Sequence, residues 1–343
     1  MLSSDGDSFS AELRRLFAMM SLTQRPFTDT ARIRSSLPNQ FNLDFKSFRQ
    51  QDAHEWIVTL LDLFCSATNR NEKHLESSIG VKLRQDIRCD ECGNISSQEI
   101  LNIDLSLCFE EQKQKSLQQM IDSIVVLEER MDGENRVFCE HCNKKVLSWK
   151  RMCAISQPDV LMLSLKRFRN LNDKIMTSVE LSPQVQYSNV RYRLRSVIVH
   201  IGTSIRFGHY VTYTFESADR VLKFDDSRVV VMNLTTFQSE TCGISTPYIA
   251  LYVREDVSIE VKMSREEARY VFRDHWKYLQ EIESSNDDVA KKKSRKALPA
   301  ATTAVTASTS LGIGKRRRYD DDNDSPPSEP RFGNFGGGSR FIY

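Results

Sequence analysis

Proline and glycine are scarce in this 343-residue chain, with 9 and 13 residues against averages near ~5% and ~7%. Ten of those 22 lie beyond Ser285, in the last 58 residues. The first 285 residues are therefore long enough for one large domain or two small ones. Collagen-like, wholly disordered and small disulfide-scaffold classes are excluded. No run of 18 apolar residues occurs, and the start, MLSSDGDSFSAELRR, is polar with no apolar stretch. Neither a spanning helix nor a secretory leader is read from it, so a soluble intracellular protein is expected. No sign of charge dominates: 48 Lys+Arg against 46 Asp+Glu leave +2, so recognition of any partner by charge has to be local. No internal repeat is present. No cysteine precedes Cys65.

The cysteines that are present number eight, and in a reducing compartment metal ligation or buried thiols are favoured over disulfides. Cys89-Asp90-Glu91-Cys92 and Cys139-Glu140-His141-Cys142 are two C-x-x-C knuckles 46 residues apart. Each brings two thiolates to one side of a tight turn, and together they supply the four sulfurs of a tetrahedral zinc. Four buried or redox-active thiols are the alternative. His141, inside a knuckle, is read as a neighbour of the metal rather than a ligand. Cys65, Cys108, Cys153 and Cys242 lack metal spacing and are expected to be core thiols.

Residues 11–64 carry apolar positions at helical spacing, with Ala53, Trp56, Ile57, Leu60, Leu61 and Phe64 on one face. SLQQMIDSIVVLEER between the knuckles is also read as a helix. After Ser78 the texture changes to short alternating stretches such as VKLRQDIRC, ILNIDLSLCF, VLMLSLKRF, YRLRSVIVHIG, HYVTYTF and YIALYVRED, which read as strands. Helices first and strands later is an α+β order. Residues 264–285 open on a capping box, Ser264 and Glu267, and predict a terminal helix. Beyond them lie KKKSRK (291–296), KRRR (315–318), an acidic run and a Gly/Phe-rich end. That tail is expected to be disordered. Its two basic clusters have the layout of a bipartite nuclear import signal, with an ordinary solvated charge run as the alternative, so nucleus, cytoplasm or both are expected. Ser325-Pro326 is a candidate phosphorylation site.

In FGHYVTYTFESADRVLKFDDSRV two alternating runs flank a turn at 216–219. A hairpin centred on Ser217 sets His209 opposite Asp225, at ~4.5–5.5 Å between Cβ atoms. A carboxylate there can fix the imidazole tautomer and stabilise the imidazolium, as in the base-plus-orienter half of a nucleophilic triad. A merely structural His–Asp contact, or none, is the alternative. Gly208 allows close approach of another backbone segment. His200 is read as a core or surface histidine. His54, His74 and His275 have no titratable partner at useful sequence spacing.

Taken together these segments resemble the catalytic domain of the ubiquitin-specific proteases, a family of cysteine deubiquitinases. FRQQDAHEWIVTLLDLF is similar to the family's Gln-Asp box, the knuckles with ISSQEILNIDLSL to its zinc-bearing fingers, and PDVLMLSLKRF to the segment after the second knuckle. YRLRSVIVHIG, GHYVTYTF, KFDDSRV and PYIALYVR are similar to the His box and closing strands. The resemblance runs over about residues 10–255. It implies a papain-like thumb, palm and fingers, with the thumb over about 10–75, the fingers about 80–150 and the palm about 151–255. It further implies a structural zinc on Cys89, Cys92, Cys139 and Cys142, and ubiquitin or ubiquitinated proteins as partners. His209 becomes the general base, Asp225 its acid and Asp226 the assisting carboxylate. Gln51, Asp52, Gly208 and Tyr210 fall at positions that line the substrate's cleft.

The family's Cys box, G-L-x-N-x-G-N-T-C-Y-x-N, has no counterpart in the residues ahead of Gln51. The expectation is therefore an N-terminally incomplete domain that does not cleave isopeptide bonds, from a shortened gene model or isoform. A catalytically inactive ubiquitin-binding scaffold is the alternative. An apolar patch at Leu16, Phe17 and Met20 is expected to be uncovered, with lower solubility as its consequence. A zinc-stabilised nucleic-acid module is disfavoured, because base-reading motifs are missing.

Overall fold

The computed structural model describes residues 4–22, 30–37, 51–67, 69–109, 116–125, 128–170, 173–204, 207–217, 219–258 and 266. The basic tail, and all of the expected 264–285 helix except residue 266, lie outside them. Helices α1 (Ser4–Leu22), α2 (Ala31–Ser35), α3 (Ala53–Ala67) and α4 (Asn69–Ile79) come first. Then follow β1 (Val81–Cys89), β2 (Ile95–Asn102), β3 (Leu105–Cys108), α5 (Leu117–Val125), β4 (Glu128–Met131), β5 (Val137–Cys139), β6 (Lys144–Val146), β7 (Ser148–Ala154) and β8 (Val160–Lys166). The rest is β9 (Phe168–Asn170), β10 (Asp173–Lys174), β11 (Gln184–Tyr187), β12 (Val190–Ile201), β13 (His209–Ser217), β14 (Arg220–Asp225), β15 (Arg228–Met232), α6 (Leu234–Glu240) and β16 (Ser245–Arg254). The α+β order read from the sequence holds.

Helix α3 is apolar on two sides, and each side has its own partner. Trp56, Leu60 and Leu63 meet Phe9, Leu13 and Leu16 of α1 together with Ile33 and Leu37. Both sets follow i, i+4, i+7 spacing, the stripe that one helix offers another. Ala53, Ile57, Val58 and Leu61 face the large sheet at Met162, Ile198, Tyr248 and Ile249. Leu16 is thus part of a core, whereas Phe17 and Met20 are exposed at 47% and 63%.

The large sheet has eight strands, ordered β15-β14-β13-β12-β16-β8-β3, with β11 also on β12. Its central strands β8 and β16 read as near-continuous apolar runs and are buried almost throughout, because both faces are covered. One face meets α3; the other packs Leu161, Leu163, Leu165, Val197, Val199 and Tyr252 against α5 and Phe237 of α6. A separate four-stranded sheet, ordered β2-β1-β7-β4, carries the first cysteine pair, and the β5-β6 hairpin carries the second.

Two expectations are corrected here. The helix read through LEER is described over Leu117–Val125, and Glu128–Met131 is instead a strand on β7 with Glu129 opposite Lys150. The Lys150 ammonium reaches Glu129 at 3.0 Å, so cross-strand pairing overrides the helix preference of Glu and Arg. The four cysteines outside the knuckles are not core thiols: Cys108 and Cys242 are exposed, and Cys65 and Cys153 are half-buried.

Candidate catalytic dyad and four-cysteine cluster

His209 opens β13 and Asp225 closes β14, and His209 Nε2 lies 2.7 Å from Asp225 Oδ1. The expected contact forms through a different register. Thr212 pairs with Phe224 and Phe215 with Val221, followed by an irregularity before Ser217. The hairpin is therefore shifted by two residues from one centred on Ser217, and Asp225 is a diagonal neighbour of His209. A two-residue shift keeps both side chains on one face, and diagonal neighbours remain within reach of long side chains. The hydrogen bond from His209 pulls the Asp225 carboxyl below the usual range against the effect of burial, and the charges of Lys223 and Arg228 add to it. An ionised carboxylate accepts, so Nε2 carries the proton and the Nδ1 lone pair is left for another group. Asp226 follows at φ +51° in the turn, and a ring nitrogen of His209 and one carboxylate oxygen each of Asp225 and Asp226 lie within 4.8 Å of one another. Among the described residues, no cysteine sulfur joins that group.

Gly208 lies against the ring of His200: a Cβ there would stand 2.3 Å from His200 Nε2 and 2.6 Å from the carbonyl of Ile201. His200 is 1% exposed. Burial and the charge of Lys174, only partly offset by Asp52, push its imidazole down to about 4. Its ring packs on Phe168 at 5.4 Å and on Tyr210 at 4.9 Å.

Asp52 ties the helices to this sheet. Its Oδ1 accepts the amides of His54 at 2.8 Å and Glu55 at 3.1 Å, which caps α3. Its Oδ2 accepts the hydroxyl of Tyr248 at 2.7 Å. Burial, and then the charge of Asp52, push the phenols of Tyr248 and of neighbouring Tyr210 upward. Gln51 is half-buried one residue ahead. His54, read as partnerless, reaches Asp104 Oδ2 at 3.2 Å. Ser164 and Ser106 also donate to that carboxylate. Burial opposes its ionisation, yet the bonds from His54 and Ser164 and the charges of His54 and Lys166 outweigh burial and hold it low. Tyr248 is 196 residues from Asp52 and Asp104 is 50 from His54, so no local spacing could have linked either pair.

Cys89, Cys92, Cys139 and Cys142 bring their sulfurs within 4.8 Å of one another. Cys89 Sγ to Cys142 Sγ is 3.9 Å and Cys92 Sγ to Cys139 Sγ is 3.7 Å. A regular tetrahedron of zinc–sulfur bonds of ~2.3 Å has edges of ~3.8 Å, so the donor set fits that metal. The amide of Cys92 donates to the Cys89 sulfur at 3.4 Å, and hydrogen bonding from Cys92 holds the Cys89 thiol down to about 7. Gly93 takes φ +74° to close the first knuckle. Lys144 bridges to Glu91 of the other knuckle at 2.7 Å. His141 is exposed.

A family model described as ubiquitin carboxyl-terminal hydrolase matches residues 2–252. The chain is 29% identical over 234 residues to ubiquitin carboxyl-terminal hydrolase 23 of Arabidopsis thaliana, covering 62% of this chain and 26% of that one. It is 31% identical over 244 residues to hydrolase 25 of the same plant, with 63% and 36% covered. To the probable hydrolase 16 of Schizosaccharomyces pombe it is 30% identical over 235 residues, with 62% and 50% covered. The match thus spans about a quarter to a half of each relative's length.

Proposed function

Because the chain belongs to the ubiquitin carboxyl-terminal hydrolase family, we propose that it is a ubiquitin-binding deubiquitinase-type domain supplying the base, the orienting acid and the docking platform of a thiol-dependent hydrolysis. The 2.7 Å contact of His209 Nε2 with Asp225 carries this reading. With Nε2–H held by the carboxylate, Nδ1 accepts a thiol proton, and Asp225 stabilises the imidazolium that results. Asp226 adds negative charge beside it. The helices over about 10–75 act as a thumb, the cysteine-bearing strands over about 80–150 as fingers and the large sheet over about 151–255 as a papain-like palm. Ubiquitin rests on the fingers, and its C-terminal Gly-Gly passes between thumb and palm along Gln51, Asp52, Gly208 and Tyr210.

Zinc held by Cys89, Cys92, Cys139 and Cys142 serves as a structural cross-link between the two knuckles and takes no part in proton transfer. Residues 1–64 hold no cysteine, and Cys65 lies on α3 beyond the Asp52 cap. This chain by itself therefore binds ubiquitin conjugates without opening the bond. It acts in the nucleus, the cytoplasm or both, with the basic clusters at 291–296 and 315–318 as a candidate import signal.

Calorimetric titration of the full chain with ubiquitin, and with ubiquitin lacking its terminal Gly-Gly, tests the platform. Saturable binding weakened by loss of the Gly-Gly is expected. No binding of either form would refute the reading.

A further inference from the structure

We propose that Lys174 is a positioning residue, whose buried ammonium pins together the three backbone segments that set His209. The inference rests on the reading of His209 as the base. Lys174 stands in β10 and is 7% exposed. Its Nζ donates to the carbonyls of His200 at 3.0 Å, Gly202 at 2.7 Å and Ile244 at 3.0 Å. An ammonium has three donors, and all three are used. The acceptors come from the end of β12, the bend after it and the turn before β16. Those segments converge on His209, because Ile201 pairs with His209 on one side and with Ser245 on the other.

The amide of Gly202 donates to Ile244 O at 3.1 Å, so that carbonyl receives both the clamp and the bend. Gly202 takes φ +145°, and a Cβ on it would meet Phe207 O at 2.7 Å and Gly208 Cα at 2.9 Å. The two ends of the connection preceding His209 thus meet at Gly202, whose carbonyl the ammonium holds. The arrangement works against ordinary burial. Burial and the charge of Arg167 push the Lys174 amine down to about 8. An apolar side chain of the same length would fill the space without desolvating a charge. What the ammonium adds is direction: it fixes where three carbonyls point, and with them the strand ends from which His209 projects.

The test reads the His209 ring nitrogens by ¹⁵N NMR in the ¹⁵N-histidine-labelled full chain at neutral pH, which needs neither ubiquitin nor a thiol. The unmutated chain should show His209 with a protonated Nε2 and an unprotonated Nδ1, well separated. Absence of that pair would overturn His209 as an oriented base. Lys174→Met should collapse the separation toward tautomer averaging and speed hydrogen exchange of the Gly202 amide by about tenfold or more. Lys174→Arg should restore much of both. A folded Lys174→Met chain that keeps the unmutated signals would overturn the positioning role while leaving the base intact. If Lys174→Met does not fold, Lys174→Gln, one atom too short to hold all three carbonyls, is read in the same way. Unchanged His209 signals in it would overturn the proposal equally.

Discussion

Single residues in this protein are constrained chiefly by what lies against them. Gly208 is required by the His200 ring and the Ile201 carbonyl rather than by its own backbone, since a Cβ would stand 2.3 and 2.6 Å from them. Gly208→Ala should cost about 1–3 kcal/mol, as forced overpacking does, and lower the melting temperature by several degrees at ~2–4 °C per kcal/mol. Scanning calorimetry checks it, and an unchanged midpoint would mean that the two segments part without cost. The sequence made His209, Asp225 and Gly208 legible, because alternation and a turn signal constrain faces. It misplaced the register, since an irregularity before Ser217 cannot be counted from residue types. The errors cancelled because a shift by two preserves the face.

At the scale of elements, the knuckle turns were legible from their cysteines, whereas β4 was not. Its Glu and Arg residues favour a helix in isolation, and only the partner strand β7, with Lys150 and Arg151 opposite, draws them into a sheet. The short α6 escaped notice although Asn233, whose side chain accepts the Thr236 amide at 2.8 Å, is an N-cap signal. The cysteine cluster joins two hairpins with little apolar core between them, Val146 being the buried aliphatic at their contact. Removing one ligand should therefore unfold that region locally. The full chain should carry about one zinc by metal analysis, and Cys89→Ser should lose it together with protection of the β5-β6 amides. Stoichiometric zinc in Cys89→Ser would rule out a four-thiolate site.

For the whole molecule, polar groups buried in the sheet and where α3 meets it make stability depend on pH. His200 is neutral in the fold, with its imidazole pushed down to about 4, whereas an exposed histidine titrates near ~6.5. Between those values the unfolded chain binds the proton and the folded one does not. Stability is therefore complete above about pH 6.5 and falls as pH drops toward 4. The loss is at most about 3 kcal/mol, at ~1.4 kcal/mol per tenfold in proton affinity. Asp104, held low by His54 and Ser164, adds its own loss only below the ordinary carboxylate range near ~3.9. Melting curves across this window should show the slope, and His200→Gln should flatten it. An equally steep slope in His200→Gln would assign the proton elsewhere.

Under the proposed function the claim is that this chain brings base, acid and platform to ubiquitin but no thiol to the bound C-terminus. Incubating the full chain with ubiquitin bearing a C-terminal electrophile, followed by intact mass spectrometry, reads that claim directly. The mass should remain that of the free chain while ubiquitin binds. A covalent one-to-one adduct, mapped to any of the eight cysteines, would contradict it.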